Sequence, residues 1–81
     1  MRRQALITLG NNVRLLRLER GLSQEKLAER ADLHTNYVGG IERGERNPGF
    51  LNLLMLSKAL NCPIQVLFKG TEKIALKKAT K

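Results

Sequence analysis

Apolar positions recur at three- and four-residue intervals along almost the whole chain, which is the spacing of helices that bury one face. Leu6, Leu9, Val13 and Leu16 form the first such stripe and leave Arg14, Arg17 and Arg20 on other sides, so a first helix is expected, ended by Gly21. Ser23 can cap a second helix by accepting an orphan backbone N–H, and Glu25 sits at that helix's positive end. Lys26 stands where an acid would complete a capping box. Leu27, Ala28 and Ala31 supply the buried side of this helix, and Val38 and Ile41 supply that of a third, running from Thr35 to Arg43 and stopping at Gly44. The small side chain of Ala28 lets the two helices cross steeply over a short turn. A fourth helix carries two stripes, Phe50, Leu53, Leu56 and Leu60 on one side and Leu51, Leu54 and Met55 on the other. Ile64, Val66, Leu67 and Phe68 make a short, apolar last helix, and the fold class is all-α.

Ser23 to Gly44, SQEKLAERADLHTNYVGGIERG, therefore sets two short amphipathic helices on either side of a tight corner. This segment resembles the helix-turn-helix of the phage-repressor-like (Cro/C1, or XRE) family. The likeness runs from Leu9 to Phe68, with LGNNVRLLRLERGLSQ similar to the family's first helix and exit loop, and IERGERNPGFLNLLMLSKALNCPIQVLF similar to its loop, fourth and fifth helices. The family usually has a left-handed glycine at the corner; Asp32 stands there, a residue that tolerates this conformation better than most. The resemblance implies a compact five-helix, lambda-repressor-like domain over residues 1–70, a basic tail over 71–81, and a third helix laid in the major groove of double-stranded DNA. A free-standing domain with Tyr-Val-Gly-Gly-Ile-Glu-Arg-Gly-Glu-Arg-Asn further resembles the controller proteins of restriction–modification systems, which bind their own promoter region and time expression of the endonuclease. Those controllers often carry arginine where Thr35 stands. A phage Cro-like repressor or an antitoxin autoregulator is the rival within the class, and a protein-interaction adaptor is the rival outside it.

Composition bears on the same question independently. Eighty-one residues leave room for one small domain, near the lower size at which a chain stabilises itself, so a homodimer is expected. A net charge of +8, from 15 basic and 7 acidic residues, favours a polyanionic partner. Nucleic acid leads, with an anionic membrane as the rival, and the basic charge together with the polar face around Asn36 argues against the adaptor. No apolar run approaches the ~20 residues that span a bilayer, and Met1-Arg2-Arg3 precedes too short an apolar stretch for a secretory signal, so the expected location is cytoplasmic. A lone Cys62, distant from a single His34, gives neither a disulfide framework nor a metal set, and Cys62 is expected to be a packing residue. With no activated nucleophile pair and no phosphate-cradling glycine loop, the chain is not expected to be an enzyme or to need a cofactor.

The candidate residues follow from the third helix. With Val38 and Ile41 inward, Thr35, Asn36, Gly39, Gly40 and Arg43 occupy the opposite side, assigned to DNA. Thr35 and Asn36 carry the chemistry for base readout, a methyl group for thymine and a carboxamide for adenine, with His34 and Arg43 at the margins. His34 falls at the N-cap, where it is either a weak cap or a group held for an outside contact. Gly39 and Gly40 cost a helix about 1 kcal/mol each relative to alanine; either they let backbone approach DNA closely or they are a tolerated defect. Tyr37 either packs its ring while its hydroxyl meets a phosphate or is simply core. Gln24, Arg46 and Asn47 are assigned to the DNA backbone, Gln24 and the loop because of what the resemblance implies, the alternatives being an ordinary glutamine in the first turn of a helix and a solvated loop. Arg17 and Glu42 match positions that pair in several family members. Surplus apolar surface assigns Leu51, Leu54, Met55, Ile64, Val66, Leu67 and Phe68 to a dimer interface, the alternative being a core enlarged against the first helix or the tail. Ile74 and Leu76, amid five tail lysines, are expected to fray or form a short helix.

Overall fold

The computed structural model describes residues 2–73; the expectations for Ile74, Leu76 and the end of the tail lie outside them. Five helices follow one another: α1 (Arg2–Glu19), α2 (Gln24–Ala31), α3 (Thr35–Glu42), α4 (Phe50–Ala59) and α5 (Ile64–Leu67). Among the described residues there is no strand, and no helix is long and apolar enough to cross a membrane.

Each boundary has a local cause. Gly21, at φ +68, turns the chain out of α1 while Leu22 N–H returns to the Arg17 carbonyl. Ser23 Oγ accepts from Lys26 N–H at 3.0 Å and caps α2. At the corner Asp32 takes the left-handed conformation, φ 58 and ψ 45, and Leu33 N–H bonds the Ala28 carbonyl at 2.8 Å. That is the closure a glycine makes elsewhere, achieved by a residue whose short polar side chain tolerates it.

The core gathers on the inner faces of these helices, with Val13, Leu27, Val38, Ile41, Leu56, Leu60 and Leu67 fully buried. Ala28 is buried at the α2–α3 crossing, as a close helix pair requires. An equally tight approach joins α1 to α3: a Cβ added at Gly10 would overlap the Ile41 carbonyl oxygen and lie 2.7 Å from that of Glu42. Polar side chains of α1 then fasten the far end of the domain. Asn12 Nδ2 donates to the Leu67 and Lys69 carbonyls, each at 2.8 Å, and Arg20 Nε donates to that of Leu60 at 2.6 Å. These are carbonyls that helix ends leave without an intrahelical partner.

Two apolar assignments change. Phe50, expected in the core stripe of α4, is 63% exposed, because the first turn of α4 follows the exposed Gly49 and the helix reaches the core only at Leu53. Leu67, expected at a dimer interface, has no exposed surface at all. A four-residue α5 must bury one side to stay folded against the body, and Leu67 supplies that side while Val66 faces out.

Candidate nucleic-acid interface

The C-terminal end of α3 is anchored from inside the domain. Arg17 Nε and Nη2 reach the two Glu42 carboxylate oxygens at 2.6 and 3.1 Å, and Arg17 Nη1 donates to the Leu22 carbonyl at 2.8 Å. Glu42 Oε1 also accepts from Gln24 Nε2 at 2.9 Å. One carboxylate thereby ties α1, the α1–α2 loop, α2 and α3 together, with every charged atom hydrogen-bonded. For Gln24 this corrects the expectation of an outward phosphate contact: its carboxamide nitrogen is turned inward to Glu42.

At the other end of α3, His34 Nδ1 accepts from Asn36 N–H at 3.1 Å, so the imidazole does cap the helix. His34 and Asn36 are exposed and Thr35 half-buried, whereas Val38 and Ile41 are buried, as their spacing predicts. Arg43, exposed, bonds Glu45 Oε2 through Nε at 3.1 Å. That hydrogen bond, helped by their mutual attraction, raises the affinity of Arg43 for its proton and holds the Glu45 carboxyl below its ordinary range. Arg3 and Arg46 add to the depression at Glu45, so this acid sits in the field of three arginines.

Gly39 and Gly40 are buried, which removes the expectation that they offer open backbone to DNA. Tyr37 packs its ring against the core, its hydroxyl accepts from Asn52 Nδ2 at 3.0 Å, and the Arg46 guanidinium stands 5.9 Å from the ring centroid. Arg46 and Asn47 lie exposed in the loop after α3. Sequence reasoning missed three contributors: Glu45, taken only as loop chemistry, Asn52, which orients Tyr37 from α4, and Gly10. A lone asparagine in an apolar helix was the available signal for Asn52.

Cys62 is half-buried, and burial pushes its thiol up against the opposing influence of Arg20, so it is not activated. Among the described residues no cluster of His, Cys, Asp or Glu can hold a metal ion. The exposed apolar surface includes Phe50, Leu51 at 73% exposure, and Met55, with Leu54, Ile64 and Phe68 partly covered. Val66 lies elsewhere, in a groove of about 250 Å³ with Asn12, Leu15, Leu16, Glu19 and Lys69 between α1 and α5.

A short pair of helices crossing at a left-handed corner, the second bearing Thr35 and Asn36 and followed by Arg43 at its end and Arg46 in the next loop, defines a helix-turn-helix protein. The chain belongs to the helix-turn-helix family, whose sequence profile matches residues 13–67. It is 48% identical over 59 residues to the control protein C.SmaI of Serratia marcescens, covering 73% of this chain and 70% of that protein. The fold superimposes on the crystal structure of the restriction–modification controller protein C.AhdI from Aeromonas hydrophila with a TM-score of 0.77 and 46% identity, covering 78% of this chain and 96% of that one. It also matches the restriction–modification controller protein C.Esp1396I, crystallised as a tetramer with its natural 35 base-pair operator, at a TM-score of 0.74 and 33% identity, covering 85% and 91%.

Proposed function

We propose that this protein is a homodimeric, sequence-specific DNA-binding regulator of the restriction–modification controller type, acting on a two-fold-related operator at its own promoter. One observation carries the reading: His34, Thr35, Asn36 and Arg43 stand on or beside the outer side of a helix whose inner side is locked to the scaffold by Glu42. Rigid presentation of short polar side chains is what base readout needs, since a carboxamide discriminates adenine only when its plane is held in register. Arg46 and Asn47 on the following loop flank the helix with donors for phosphate. The +8 charge supplies the sequence-independent attraction. Leu51 and Met55, with Phe50 beside them and Leu54, Ile64 and Phe68 partly covered, supply the apolar surface for a second copy. The role is binding rather than catalysis.

Selection of bound duplexes from a random pool tests this reading. An A·T preference is expected in each half-site, lost in Asn36→Ala at a cost of ~1–3 kcal/mol of discrimination. Arg46→Ala should weaken all sites nearly equally. Equal loss of specific and non-specific binding in Asn36→Ala would overturn the assignment of Asn36 to a base.

A further inference from the structure

Two adjacent glycines in the middle of an eight-residue helix need an explanation, and the side chains lying over them provide one. A Cβ built at Gly40 would lie 2.8 Å from Arg46 Cγ, 3.5 Å from its Nε and 3.7 Å from its Cδ. One built at Gly39 would lie 3.1 Å from Arg43 Nη1 and 3.5 Å from Gln24 Oε1. Both glycines are buried while both arginines are exposed, so the arginines form the outer surface at these two positions. We propose that Gly39 and Gly40 are seats for Arg43 and Arg46, and that Gly40 is a positioning residue that aims the Arg46 guanidinium at the DNA backbone.

The two seats differ in how strictly they demand glycine. At Gly39 the closest atom is the far end of a flexible side chain, and a shift of a few tenths of an ångström accommodates a methyl group. At Gly40 it is Cγ, only two bonds from the backbone of the arginine. Moving Cγ requires a different χ1 rotamer, and that swings the whole guanidinium away. In the present rotamer the aliphatic stem of Arg46 rests on Gly40 and the guanidinium stands over the Tyr37 ring, itself held through its hydroxyl by Asn52. Glycine, aromatic ring and asparagine thus restrict an arginine on a loop that would otherwise sample many rotamers, and less conformational entropy is lost when it meets a phosphate.

This inference rests on the DNA-binding reading above, and a double-mutant cycle on a random-sequence duplex tests it, since a phosphate contact is insensitive to sequence. Arg46→Ala should weaken binding by roughly tenfold, as expected for loss of a charge-assisted hydrogen bond. Gly40→Ala should lose most of the same factor in the wild-type background and change binding less than about twofold in the Arg46→Ala background. Gly39→Ala should have the smaller effect. Because alanine is the better helix former, Gly40→Ala should melt no lower than wild type. The same loss from Gly40→Ala in both backgrounds, or no loss in the wild-type one, would overturn the proposal. A readout without DNA separates it from the DNA reading. In the free protein the Arg46 side-chain proton resonances should be shifted by the Tyr37 ring, should return toward random-coil positions in Gly40→Ala and in Tyr37→Leu, and should stay in place in Gly39→Ala. Unchanged Arg46 resonances in Gly40→Ala refute the seat even if DNA binding holds. A wild-type protein that binds no duplex refutes the DNA reading and leaves the seat to the resonances.

Discussion

Two arginine–carboxylate pairs meet at the end of α3, one on each side of the helix terminus. Arg17 and Glu42 retain 10% and 2% of their side-chain exposure; Arg43 and Glu45 retain 59% and 49%. The inner pair has taken two charges out of water, and it persists because Leu22 and Gln24 satisfy the remaining hydrogen-bonding positions. The outer pair keeps its hydration and is worth little to the fold. The same chemistry thus serves two ends: the buried pair fixes where α3 lies, and the exposed pair is free to exchange its carboxylate for another anion. An anion from solvent can approach Arg43, whereas Arg17 is enclosed.

The contrast can be broken most forcefully from the inside. Glu42→Ala leaves the Arg17 guanidinium buried and strips Gln24 of its acceptor, so stability should fall by about 3 kcal/mol and the melting temperature by on the order of 10–20 °C. An unchanged melting curve would show that the pair is not buried in solution. Leu67 and Leu51 offer the apolar version of the same comparison. Leu67→Ala should cost roughly 2–5 kcal/mol, because it empties a fully enclosed site. Leu51→Lys should leave the fold intact and shift sedimentation from dimer to monomer; a variant that stays dimeric would move the interface away from α4.

Smaller effects sharpen the outer half. Glu45→Gln releases Arg43 and removes a negative charge from the side proposed to face DNA, so binding to duplex at low salt should tighten by about fivefold, the value of one unit charge near another across water. Its melting temperature should not move measurably. Weaker binding in Glu45→Gln would mean that the carboxylate orients Arg43 instead of competing for it. Last, the Glu45 carboxyl should titrate below its ordinary range and return toward it in Arg43→Ala, measured by NMR. Because its folded pKa is lowered, whatever Glu45 adds to stability is present above the ordinary carboxylate pKa and lost as pH falls through the lowered one. Solvent screening keeps that contribution small.

Much of this architecture is legible in the chain alone, and the reason is range. Caps, turns and helical faces depend on residues within about four positions of one another: Ser23 to Lys26, His34 to Asn36, Asp32 at its corner, and Leu27, Ala28, Val38 and Ile41 on their buried sides. The pairing of Arg17 with Glu42 spans 25 positions and came from resemblance, not from periodicity. Periodicity says that an apolar face exists but not what covers it. Leu67 and Leu51 are therefore equivalent in the sequence, and only the docking of α5 on the body buries one and leaves the other out. Gly10 has no local reason to be glycine; the carbonyls of Ile41 and Glu42, more than thirty positions away, supply it. Gly39 and Gly40 were visible as an anomaly, but the Arg46 that lies over Gly40 is placed by a left-handed turn at Gly44, φ +77, after which Glu45 N–H bonds the Gly40 carbonyl, whereas Arg43 lies over Gly39 from the end of α3 itself. Which side chain fills a given space is settled by elements that meet only when the chain has folded, because steric exclusion acts between atoms close in space, whatever their distance along the sequence.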